Sequence, residues 1–95
     1  MALEIVWTKR AIAGYDRMIV YLETNWTEKE IRKFVQQTEE FLKLLSEYPE
    51  MLQKTGKQKN VHRGPIHKHI MLTYRIKPRK NQIELINIRS PKQKH

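Results

Sequence analysis

Two different spacings of apolar residues divide the chain. Leu3-Glu4-Ile5-Val6-Trp7 alternates and is rich in β-formers, which predicts a short strand. Thr8 then stands at an N-cap. Ala11, Ile12, Tyr15, Met18, Ile19 and Leu22 follow at i, i+3, i+4 spacing, which predicts a helix with one apolar stripe. Gly14 lies inside that stripe, where it costs up to about 1 kcal/mol against Ala, and it points to a close helix–helix approach. Asn25-Trp26 ends the helix, with Trp26 expected to plug the core over the turn. Thr27 opens a second helix, and Glu30 sits at the capping-box spacing. Its stripe is Ile31, Phe34, Val35, Thr38, Phe41, Leu42, Leu45 and Tyr48, and Pro49 stops it. Two amphipathic helices joined by so short a turn form an antiparallel hairpin whose apolar face needs a sheet to cover.

From Glu50 to Gln58 the periodicity dissolves into a Lys-, Gln- and Gly-containing connector. Lys59 to Arg63 reads as a short extended piece, and Gly64-Pro65 as a turn. Ile66 to Lys77 is the clearest strand. Ile70, Leu72, Tyr74 and Ile76 fall on one face, and His67, His69, Met71, Thr73 and Arg75 on the other. Pro78 to Asn81 is a turn. Gln82 to Arg89 is a further strand, apolar on both sides and therefore central. The predicted order is β-α-α-β-β-β, an α+β fold in which a helical hairpin packs on one face of a small, largely antiparallel sheet. The other face is left open, and function is expected there.

Composition narrows the setting. The 95 residues suffice for a single domain, residues 1–95, and 39% hydrophobic with 31% charged residues is ordinary for a globular chain. Cysteine is absent, which excludes disulfides and thiolate metal sites and suits a reducing compartment. No apolar run is long enough to span a membrane, and the first residues lack the order of a signal peptide. A cytoplasmic location is expected. Charge is segregated. Residues 1–50 hold 7 Lys/Arg against 9 Asp/Glu, whereas residues 51–95 hold 12 Lys/Arg against Glu84 alone, within a net +9. A near-neutral half joined to a strongly basic one implies a polyanionic or acidic partner.

The run Ile5-Val6-Trp7-Thr8, Ala11, Tyr15, Ile19, Tyr21 and Asn25-Trp26, the Tyr48-Pro49 break, the segment His67 to Ile76, the strand Ile83 to Ile88 and Arg89 near the end come in a characteristic order. In that order and spacing the chain resembles the RelE/ParE superfamily of type II toxins over nearly its whole length. The resemblance implies a β-α-α-β-β-β fold, a toxin role and an antitoxin encoded alongside. One branch cuts mRNA in the ribosomal A site, and the ParE branch is associated with poisoning DNA gyrase. Several mRNA-cutting members carry an arginine three residues before the strand tyrosine. Counted back from Tyr74, that position here is Met71. This departure, the long hairpin of residues 8–48 and the lack of an obvious Tyr or Glu at the basic end place the chain closer to the ParE branch. A ribosome-dependent mRNA endonuclease is the alternative, and a non-enzymatic nucleic-acid-binding module a third reading.

A metal-free ribonuclease needs a base, an acid and cations around the phosphate. His62, His67, His69 and His95 are the available acid–base groups, with His67, His69 and Arg89 the catalytic candidates. Arg63, Lys68, Arg75, Arg89 and Lys92 are the candidate contacts to an anionic target. Arg89 resembles the arginine found near the C-terminus of many family members; the plainer alternative is an Arg paired with Glu84. No cofactor is expected. No metal is expected either, since His67 and His69 have only Glu84 nearby as a carboxylate. The expected partners are an acidic, partly disordered antitoxin lying along the basic groove, and either gyrase or the ribosome with its mRNA. The long hairpin leaves a homo-oligomer open.

Overall fold

The computed structural model describes residues 2–56, 58–67 and 70–90. Strand β1 (Glu4–Trp7) leads into α1 (Lys9–Glu23) and α2 (Glu28–Glu47); β2 (Gln53–Lys54), β3 (Val61–His67), β4 (Ile70–Lys77) and β5 (Gln82–Arg89) follow. A 3-10 turn, Pro78–Lys80, closed by Asn81 in the left-handed region, links β4 to β5 as the turn residues predict. The sheet order is β1-β5-β4-β3-β2. β1 runs parallel to β5 and every other pair is antiparallel. The fold is thus the expected α+β arrangement, with one more strand, the two-residue β2, inside the predicted connector.

Local chemistry sets the helix ends as expected. The Thr8 hydroxyl accepts the Ala11 N–H at 3.1 Å. Thr27 and Glu30 form the full capping box, each side chain bonding the other's backbone N–H. The core lies between the hairpin and one sheet face. Met18, Phe34 and Leu45 meet Ile70, Leu72, Tyr74, Ile83, Leu85 and Ile88, all buried. Burying each such side chain contributes about 1.5–3 kcal/mol. Trp26 packs on this core, edge-on to Phe34 with ring centroids 6.0 Å apart.

Four sequence expectations need correction. Gly14 marks a helix–sheet contact, not a helix–helix one. A Cβ there would overlap the backbone oxygen of Ile88 on β5, so only glycine lets α1 seat so closely. Ile12 and Tyr48, assigned to the apolar stripes, are 47% and 62% exposed; Tyr48 lies past the end of α2, as its C-cap in a non-helical conformation. Gly64-Pro65 is not a turn. β3 runs through it, with Gly64 opposite Leu72 and Pro65 opposite Met71. Leu52 packs over Gly64, where a Cβ would come within 3.0 Å of its Cδ2. β2 pairs with β3 only at His62 and Arg63, so Pro65 lies on an otherwise open edge, where a missing N–H costs no ladder bond. The predicted strand from Ile66 to Lys77 is consequently two strands, with His67 opposite Ile70.

The fourth correction concerns β5. It is an inner strand, between β1 and β4, but its apolar residues do not divide between the faces by simple alternation. The register slips at Ile86, where Thr73 opposes Asn87 and Tyr74 opposes Leu85. This β-bulge turns Ile83, Leu85 and Ile88 to the core together. Thr8 pins it, its hydroxyl donating to the Leu85 carbonyl at 2.7 Å, with the Ile86 carbonyl 3.2 Å away.

Candidate functional site

The sheet face turned away from the hairpin collects the arginines. Register places Arg63 on β3 opposite Thr73, Arg75 on β4 opposite Glu84, and Arg89 on β5 opposite Met71. Neighbouring strands are about 4.8 Å apart and same-face residues about 7 Å apart along a strand, so the three guanidiniums share one patch. Arg63 and Arg89 are exposed and Arg75 half-buried. Arg89 owes its place to the bulge. Strict alternation from Leu85 would send it to the core side with Asn87; the extra residue returns Ile88 to the core and Arg89 to the outside.

Two ion pairs form among the described residues, and neither uses these arginines. Glu84, considered in the sequence as a partner for Arg89, instead meets Lys77 at 3.2 Å. Arg89 lies five residues further along β5. The other carboxylate on this face, Glu4, accepts from the Gln82 side-chain amide at 3.1 Å. Lys77 is the residue of this face that sequence reasoning missed. Its only signal was its place at the end of the strand, in phase with Arg75.

His62 and His67 do not join the patch. A second bulge, between Pro65 and His67, turns His67 to the helix side. There its ring stands edge-on to Phe34 at 5.4 Å and to Trp26 at 6.5 Å. The sequence placed His67 on the open face because it assumed unbroken alternation with Met71. His62 is buried and stacks on Tyr74, ring centroids 5.2 Å apart and planes 5° apart. Its Nδ1 lies 2.8 Å from the Leu52 carbonyl. A carbonyl only accepts, so Nδ1 carries the proton. The Tyr74 hydroxyl donates to the Pro49 carbonyl at 2.5 Å, and burial raises its pKa to about 12. This pair fastens the chain after α2 to the sheet and is structural. His69, Lys68, Lys92 and His95 lie outside the described residues. Among the described residues no three His, Asp or Glu side chains gather as a metal would need.

Chemically, the patch offers planar cations suited to bidentate contact with phosphate or carboxylate. Proton transfer would need a base and an acid beside them. Among the described residues the face supplies the carboxylates Glu4 and Glu84 and the ammonium of Lys77, each held in a contact given above.

A helical hairpin on a five-stranded mixed sheet is an α+β fold like that of RelE/ParE toxins. The fold resembles that in a structure of the chromosomal ParDE system from P. aeruginosa, with a TM-score of 0.74 and 18% identity over 94% of this chain and 96% of that one. It also resembles that in the RelBE2 toxin–antitoxin complex from Mycobacterium tuberculosis, with a TM-score of 0.64 and 12% identity over 95% and 99% of the two chains. Among curated protein sequences none matches significantly. The profile of the ParE toxin of the type II toxin–antitoxin system parDE matches residues 5–94, and the chain belongs to that family.

Proposed function

We propose that this ParE-family toxin inhibits growth by poisoning DNA gyrase in the cytoplasm, without chemistry of its own, until an acidic antitoxin covers its arginine face. The observation that carries this reading is the composition of that face. Arg63, Arg75 and Arg89 gather on it, His67 is turned away, and Met71 occupies the position where several mRNA-cutting members of the superfamily carry an arginine. Such a surface binds anions, and its described carboxylates, Glu4 and Glu84, are each held in another contact. An acidic segment folding along it would neutralise three cations at once, so the toxin–antitoxin association is tight at low salt and weakens as salt rises.

The test is the order in which leucine and thymidine incorporation fall within minutes of inducing the chain in a bacterial host. Gyrase poisoning stops thymidine first. If leucine falls first, translation is the target and the mRNA endonuclease reading replaces this one.

A further inference from the structure

A second cationic feature lies beyond the arginine patch, where β4 runs into its 3-10 turn. Lys59, Arg75, Lys77, Arg79 and Lys80, with Asn60, line an open cleft of about 790 Å³. Its walls are set by backbone. The Asn60 carbonyl accepts the Ile76 N–H at 2.9 Å, and Asn60 and Asn81 hold left-handed φ values of 62° and 58°, a conformation asparagine tolerates better than most residues. Pro78 opens the 3-10 turn, and Arg79 and Lys80 stand exposed upon it. Glu84 engages Lys77 alone, which leaves four cations for a ligand.

We propose that this cleft seats the sugar–phosphate backbone of duplex DNA, with Lys59, Arg75, Arg79 and Lys80 each meeting a phosphate. Three observations select that ligand. The large exposed apolar side chains (Ile12, Val20, Tyr21, Leu44, Tyr48 and Met51) all belong to the hairpin and the turn after it. A protein segment binding in the cleft would therefore find cations and, of apolar anchors, only Ile76 and Pro78. No aromatic ring lines the cleft, so a single strand would have no stacking platform, whereas a duplex backbone needs only charge. Arg75, shared with the patch, makes the cleft and the arginine face one continuous cationic track. The choice of DNA over duplex RNA rests on the gyrase reading; the binding assay itself contains no topoisomerase, so its failure is distinct from a failure of that reading.

Fluorescence anisotropy of the full chain with a labelled DNA duplex of arbitrary sequence tests it. Four phosphate contacts predict that affinity falls about 150-fold between 50 and 200 mM salt. The variant K59Q/R79Q/K80Q leaves about one contact and a fall of about 3- to 4-fold. K29Q/K33Q/K43Q removes the same charge from the exposed face of α2 and keeps the steep dependence. E84Q frees Lys77 and steepens the logarithmic slope by about 1. Circular dichroism verifies that each variant is folded. Equal flattening by both triple variants would mean that binding follows net charge alone, and the proposal fails. It also fails if the cleft variant keeps DNA binding but loses a glutamate-rich peptide, which would assign the cleft to an acidic polypeptide. Tighter binding to an RNA duplex of the same length overturns the assignment to DNA.

Discussion

Replacing Gly14 by Ala tests how α1 sits on the sheet. The new Cβ would fall closer to the Ile88 carbonyl oxygen than carbon atoms approach, with the carbonyl carbon at 3.2 Å. Both atoms are backbone of an inner strand, so no rotamer change relieves the clash. To regain ordinary contact at 3.4 Å the helix must lift by more than 1 Å, and a gap of about 1 Å already forfeits up to about half of the dispersion energy across it. The residues that would lose contact, Ala11, Met18 and Leu22, are 0%, 1% and 4% exposed. Overpacking of this kind costs about 1–3 kcal/mol, sometimes more, against a gain in helix propensity of at most about 1 kcal/mol. The net loss is roughly 1–2 kcal/mol. For a domain of this size it lowers Tm by about 5–15 °C. Thermal unfolding followed by circular dichroism, with a urea titration for ΔG, gives both numbers. An unchanged or raised Tm, as for a helical glycine with open space above it, would refute the close seat of α1 on β5.

The same logic gives three further outcomes. Tyr74→Phe removes the hydroxyl that donates to Pro49 and lowers stability by about 1–2 kcal/mol near neutral pH. Because burial raises the Tyr74 pKa from 10.0 to about 12, folding favours the neutral phenol; its contribution is complete below about pH 10 and lost as pH rises through about 12. The stability difference between wild type and Tyr74→Phe, from urea titrations across that window, therefore shrinks with pH, and a constant difference would contradict it. Arg89→Ala, at an exposed site with no ion pair among the described residues, changes stability by no more than about 0.5 kcal/mol yet reduces toxicity in an induction assay. A folded variant that stays fully toxic removes Arg89 from the site. Met71→Arg places a fourth guanidinium opposite Arg89, at a cost of about 0.2–1 kcal/mol for the like charges, and produces no mRNA cleavage by primer extension on translating ribosomes. New cuts would sink the non-catalytic reading.

The elements were legible where the chemistry is local. Thr8, Thr27 with Glu30, Pro49 and the Pro78–Asn81 turn each act within a few residues, and each does in the structure what its type implies. Gly14 and Gly64 were visible as anomalies but not interpretable. Each accommodates a neighbour distant in sequence, the Ile88 backbone in one case and the Leu52 side chain in the other. Gly64-Pro65 carries a turn signature that tertiary pairing overrides, since β4 supplies one complete partner edge and the other edge makes no demand on the missing N–H.

Side-chain direction on the sheet divides along the same line. Charge segregation is compositional and survives any error of register, so a basic surface could be read from residues 51–95 alone. Which side chain reaches that surface depends on period-two phase, and one inserted residue inverts everything after it. Arg75 lies in a regular stretch of β4 and stands where alternation placed it. His67 and Arg89 each lie just past a bulge. The bulge in β3 takes the imidazole off the outer face, and the bulge in β5 puts the guanidinium onto it. Between them, two unpaired residues, Ile66 and Ile86, take His67 off the outer face and bring Arg89 onto it. Ile86 carries a signal that could have been sought, because its carbonyl and that of Leu85 meet the hydroxyl of Thr8, a residue whose capping role was already plain. The same threonine that starts α1 thus helps hold the kink that exposes Arg89.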